Sequence, residues 1–86
     1  MTELILKKRE NYNEKDFGYR LLLEDGFNGL YISSSTVFEK RIEVSKEVFS
    51  EFKIVANIYQ DEKFVCRVTG ITKIEDYEGN EVVIDD

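Results

Sequence analysis

Apolar residues recur along most of this chain at alternate positions, the spacing of strands that bury one face and show the other to water. Leu4-Ile5-Leu6 opens a first strand over about 3–9. The polar stretch from Asn11 to Phe17 is turn-rich and ends at Gly18. Tyr19 to Glu24 then reads as a second strand, with Tyr19, Leu21 and Leu23 on one face. Glu24-Asp25-Gly26-Phe27-Asn28-Gly29 contains Asp-Gly and Asn-Gly, which supply positive-φ positions cheaply, and predicts a turn into a third strand at 30–33. These three strands are expected to form a meander.

Residues 34–53 admit two readings. Thr36 with Glu39 resembles a capping box, which starts one helix running to about Phe52. The competing reading makes 38–44 a strand, with Phe38, Ile42 and Val44 on one face. Ser45 then caps a short helix at 46–53, with Glu47 in its first turn and Val48, Phe49 and Phe52 as its apolar side. The second reading is preferred, because a helix through Val37, Ile42 and Val44 carries several β-branched residues.

The last third is the clearest. Ile54, Ala56 and Ile58 alternate on one strand, and Phe64, Cys66 and Val68 on the next. For both sets to share a core face they must lie opposite each other. A two-residue Asp61-Glu62 loop sets Ile58 against Val65, on the wrong face. A three-residue loop, Asp61-Glu62-Lys63, sets Ile58 against Cys66 and Ala56 against Val68, and is therefore expected. Gly70 marks a bulge or bend. Glu78-Gly79-Asn80 turns the chain into a final strand over 81–84. The pattern implies an α+β fold: a small, curled, hairpin-connected antiparallel sheet of about five or six strands packed on one short helix near 46–53, or a partly open barrel. A separate core is hard to build in much less than ~50 residues, so one domain over 1–86 is expected.

Composition narrows the functional classes. There is no histidine, which removes the commonest general base, the usual activator of a nucleophilic Ser or Cys, and the commonest transition-metal ligand. The single cysteine, Cys66, lies in an alternating apolar run and reads as a buried reduced thiol. One cysteine without histidine supplies no four-ligand zinc site. Asp76-Tyr77-Glu78-Gly79-Asn80-Glu81 has oxygen donors beside a glycine but lacks the spacing of a calcium loop, and reads better as a hairpin turn. Gly26-Phe27-Asn28-Gly29 lacks the lysine and following helix of a phosphate loop. A non-enzyme without cofactor or metal is expected. No apolar run approaches the ~20 residues needed to span a bilayer, and the amino-terminal charges follow the apolar residues rather than precede them. A cytoplasmic location is the resulting expectation.

The formal charge of −6 is unevenly placed. Acidic and basic side chains balance through Lys73, and the excess comes from Glu75, Asp76, Glu78, Glu81, Asp85 and Asp86. A net-acidic chain is poorly suited to nucleic acid, which requires a positive face to displace counterions. The basic residues near Tyr12, Phe17, Tyr19, Phe27 and Tyr31 are too nearly balanced by acids to make a single-strand groove. The expectation left is a non-catalytic protein-binding module: an inhibitor, an antitoxin- or immunity-like protein, or an accessory of a phage or mobile element. Its acidic end (residues 75–86) would engage a basic or nucleic-acid-binding partner, or mimic DNA, and Phe17, Phe27 and Tyr31 would serve as aromatic anchors. The alternative is a structural homo-oligomer, a homodimer at its simplest, or an assembly component pairing through sheet edges such as Leu4-Ile5-Leu6 and Val82-Val83-Ile84, with a single-stranded nucleic-acid binder as the less favoured case.

Overall fold

The structure is a computed structural model that describes residues 1–6, 18–24, 31–32 and 40–85. Its strands are β1 (Thr2–Leu6), β2 (Tyr19–Leu23), β3 (Tyr31–Ile32), β4 (Lys40–Glu47), β5 (Lys53–Gln60) and β6 (Lys63–Asp76). They form one antiparallel sheet in the order β1-β4-β5-β6-β2-β3. The expected pairing of β2 with β3 is present, but the meander is not. β1 pairs with β4, with Leu4 opposite Ile42, so β1 and β2 lie on opposite sides of the β4-β5-β6 ladder.

Alternation works as expected except at Phe64, which the pattern set on the core face with Cys66 and Val68: it lies opposite Tyr59 on the outer face and is 59% exposed, because the extra residue Val65 shifts its parity. Leu4 and Leu6, Leu21, Ile32, Ile42 and Val44, Ile54, Ala56 and Ile58, and Ile71 and Ile74 join Ile84 in one buried cluster. Tyr19, Leu23, Cys66, Val68 and Val82 pack against it, so Tyr19, Leu21 and Leu23 share a face. Every strand contributes, which requires the sheet to curl around its own apolar face as a half-barrel. Each fully buried Leu or Ile here contributes roughly 1.5–3 kcal/mol.

Among the described residues there is no α-helix. The helix expected at 46–53 is replaced by strand up to Glu47, a single 3-10 turn at Val48–Ser50, and a turn into β5 at Lys53. Cross-strand pairing overrides the local capping signals: Ser45 pairs with Val55 and Glu47 with Lys53. The final strand is also reduced, to one bridge between Glu75 and Glu81, with Val82 N–H donating to the Ile74 carbonyl at 2.8 Å. Ile84 returns from there into the core. The start of the helix alternative at Thr36, Phe38, the 7–9 end of the first strand and the turn at 25–29 lie outside the described residues.

β6 carries the register of the whole sheet. Ile58 lies opposite Cys66 and Ala56 opposite Val68, as core-face parity demands. The loop, however, has two residues rather than three. Gln60 pairs with Lys63, Asp61 and Glu62 both take positive φ, and the parity is restored by an extra residue, Val65, between the Tyr59–Phe64 and Ile58–Cys66 pairs. A second extra residue on β6 falls at Thr69-Gly70, where Gly70 has φ 72°, between the Ala56–Val68 and Ile54–Ile71 pairs. A third, Thr72, faces β2 between Leu22 and Leu23, and its hydroxyl donates to the Leu22 carbonyl at 3.2 Å. The last two bend the strand where it changes partner from β5 to β2.

A Cβ at Gly70 would meet nothing within 4 Å, so only backbone conformation resists substitution there. Gly70→Ala is expected to lose about 1–2 kcal/mol in urea unfolding, and Gly70→Asn less, because Asn tolerates the left-handed region. Equal losses would show that the position is constrained by packing instead.

Candidate interaction surfaces

The acidic residues of the C-terminal third do not form one free row. Glu75 is half-buried in β6 and paired with Lys73 at 3.1 Å. The Asp76 carboxylate accepts the backbone N–H groups of Glu78 and Asn80, each at 2.9 Å. It thereby holds the 77–80 turn, in which Gly79 takes φ 86°. Glu78, Glu81 and Asp85 are exposed, with Glu81 directly opposite Glu75 across the bridge. Asp86, Phe17 and Phe27 lie outside the described residues. Tyr31 is placed in β3, and its side chain is not described. The structure thus brings Glu75, Asp76, Glu78 and Glu81 into one hairpin and sets Asp85 beyond it. Tyr19, paired with Asp76, has its hydroxyl pKa raised by burial first and by that carboxylate second.

A surface that the alternation pattern did not single out stands at the β4–β5 connection. Val48, Phe49 and Phe52 are 72, 101 and 73% exposed. The helix expected at this position assigned these side chains to the core, and the structure points them into water. The loop closes on two consecutive non-glycine residues of positive φ, Glu51 at 56° and Phe52 at 66°, after Glu51 N–H donates to the Val48 carbonyl at 3.3 Å. That conformation is uncommon for a bulky side chain. Its stem is fixed by two ion pairs, Glu47 with Arg67 and Lys53 with Glu24. The first joins β4 to β6, the strands on either side of β5, whose Val55, opposite Ser45, is only 2% exposed. The sequence did hold a signal: three large apolar residues in the five between Glu47 and Lys53, too few for a stable helix on their own.

The convex face carries a third feature, a row across four strands: Ile5, Arg41, Tyr59 and Phe64. The Arg41 guanidinium lies over the Tyr59 ring at 4.1 Å and pairs with Glu43 at 2.8 Å and Glu3 at 3.3 Å. Tyr59 meets Phe64 edge to face at 5.8 Å. Its hydroxyl donates to Glu43, which holds the Glu43 carboxyl below its ordinary pKa, with Arg41 adding to the effect. The same bond raises the Tyr59 pKa. Beyond this row, Phe64 and Val65 are 59 and 56% exposed.

Among the described residues no group of three ligating side chains is placed to hold a metal ion, and no helix is long and apolar enough to cross a membrane. Compared with known proteins, the chain matches no family model, no curated protein and no solved structure.

Because the folded-state pKa of Glu43 is depressed, its contribution to stability is present above the ordinary carboxylate range and lost as pH falls through the folded value. Tyr59→Phe is expected to return Glu43 toward its ordinary pKa in a carboxyl-resolved NMR titration. The stability gap between Tyr59→Phe and the wild type then narrows as the solution is acidified. A gap that stays constant from neutral pH to below pH ~3 would contradict this coupling.

Proposed function

We propose that the protein is a non-catalytic module that works by docking on a protein partner. The observation that carries this reading is the β4–β5 tip, where Val48, Phe49 and Phe52 stand in water on a loop whose turn is made by Glu51 and Phe52 at positive φ. Glycine or asparagine closes such a turn at lower cost, and strain kept with exposed aromatics is a mark of a binding loop. Two exposed rings on a braced hairpin are preorganised anchors, since little ordering remains to be done on contact.

The exposed carboxylates of Glu78, Glu81 and Asp85 support attraction to a basic partner, including one whose own ligand is nucleic acid. Mimicry of a phosphate row is supported less well, because Lys73 neutralises Glu75 and the turn occupies Asp76. Inhibitor, antitoxin- or immunity-like protein, and phage or mobile-element accessory are the forms such a module takes, inside the cytoplasm. A second reading, assembly through sheet edges, is favoured by the place of β1 at the outside of the sheet with Ile5 44% exposed. Direct binding of single-stranded nucleic acid has the weakest support, since Arg41 is already held by two carboxylates.

The test is affinity capture with the tagged chain at low and high salt, using variants that keep the core. Removal of residues 75–86 is unsuitable, because Ile84 is 3% exposed and part of the buried cluster. Phe49→Ser with Phe52→Ser is expected to abolish capture, and Glu78→Gln with Glu81→Gln and Asp85→Asn to weaken it at low salt only. Phe52→Gly separates folding from binding. It is expected to stabilise the fold by about 0.5–1 kcal/mol while weakening capture. A partner held equally by all of these variants contradicts the reading.

A further inference from the structure

β6 outruns β5. Its pairing with β5 ends where Ile71 meets Ile54, and from Ile74 to Asp76 it has β2 on one edge. The carboxy-terminal segment takes the edge that β5 has left: Glu81 bridges Glu75, and Val82 N–H donates to the Ile74 carbonyl. Antiparallel to β6, this segment runs back toward the start of β5, and Ile84 joins Ile54 in the buried cluster. Glu75 lies four residues beyond Ile71, so Glu81 starts within roughly 13 Å of the Ile54–Ile71 pair and the residues after it approach the β4–β5 tip. Val83, 70% exposed, thereby joins Val48, Phe49 and Phe52 at one end of the sheet. We propose that the tip and residues 81–85 form one docking surface, and that its occupant is a short amphipathic segment of a partner protein, with lysine or arginine beside its apolar side chains. This rests on the reading of the tip as the binding element and names the chemistry of what the tip binds.

Charge decides the partner. The bases closest to the tip on β5 and β6 are matched within the fold: Lys53 pairs with Glu24, Arg67 with Glu47 and Lys73 with Glu75. The other basic groups at this end are Arg20, Lys46 and the amino group of Met1. Against them stand Glu51, Asp76, Glu78, Glu81 and Asp85, so the end stays acidic once every described base is counted. Glu51, Glu81 and Asp85 are exposed and flank the apolar side chains directly. A phosphate backbone or an anionic leaflet is repelled by these carboxylates, and Glu51 would enter a lipid surface together with the rings. A second copy brings the same acidic end and a net charge of −6. Size points the same way. The two rings present roughly 300–500 Å², which suits one peptide segment better than the ~800 Å² face of a folded partner.

Fluorescence anisotropy of a labelled amphipathic leucine–lysine peptide, titrated with the full chain at low salt, tests this. The wild type is expected to bind it, and to bind a serine–lysine peptide of equal charge about tenfold more weakly. Phe49→Ser with Phe52→Ser, and separately Glu81→Gln with Asp85→Asn, are each expected to weaken binding of the leucine–lysine peptide about tenfold. Asp61→Asn with Glu62→Gln removes as much charge at the far end of β5, roughly 25 Å away, and is expected to change nothing. All six side chains are exposed, and unchanged far-UV circular dichroism verifies the fold. A wild type that ignores the peptide overturns the proposal, as does a loss from the 61–62 variant equal to that from the 81 and 85 variant. Tip-dependent binding to phosphatidylserine vesicles, or tip-dependent self-association, in place of peptide binding also overturns it. If the tip variant loses partner capture while the 81 and 85 variant holds the peptide like the wild type, the joint surface is overturned and the binding-module reading stands.

Discussion

β6 must keep its apolar side chains on one face while it pairs with β5 along its first part and with β2 along its second. A strand of fourteen residues with strict alternation cannot do both here, because Cys66 and Val68 differ in parity from Ile71, and Ile71 from Ile74. The extra residues at Val65, Thr69-Gly70 and Thr72 resolve this. They return the core face to the inside each time and add the twist and bend by which a six-stranded sheet curls on itself. The buried cluster from Leu4 of β1 to Ile32 of β3 depends on that curl, since nothing helical among the described residues covers the sheet.

The surface features follow from the same arrangement. With its core on the concave side, the sheet leaves the convex side to charged and aromatic pairs. The row through Arg41, Tyr59 and Phe64 ties β1, β4, β5 and β6 together there. At one end the β4–β5 loop contributes nothing to the buried cluster, and its Val48, Phe49 and Phe52 are exposed. The Glu47–Arg67 and Lys53–Glu24 ion pairs hold the stem on both sides and leave the apolar loop residues to meet something outside the fold. The Val65 bulge exposes a second apolar site at the other end of β5.

What was legible in the sequence was what parity alone decides. The shared faces of Tyr19, Leu21 and Leu23, the pairing of Ile58 with Cys66, and the irregularity at Gly70 all followed from which residues must be buried. How the parity was corrected was not legible, because an odd loop and a bulge after an even loop give the same pairing at Ile58. Strand order was not legible either: adjacency in sequence favoured a β1-β2-β3 meander, whereas Leu4 found its partner in Ile42. The helix expected at 46–53 failed because Val48, Phe49 and Phe52 carry the same i, i+1, i+4 signature whether they face a core or water. Of the residues expected to bind a partner, Glu75 and Asp76 are engaged within their own hairpin while Glu78, Glu81 and Asp85 are exposed, and Phe49 and Phe52, which the pattern gave to a core-facing helix, are exposed as well.

The account stands on the bulged register of β6, and cross-strand NOEs in the full chain read that register directly. Ile58 to Cys66, Ala56 to Val68 and Ile54 to Ile71 are the contacts it requires. Contacts from Ile58 to Val65, Ala56 to Arg67 and Ile54 to Thr69, the uninterrupted continuation of the Gln60–Lys63 pair, would turn β6 inside out and contradict it.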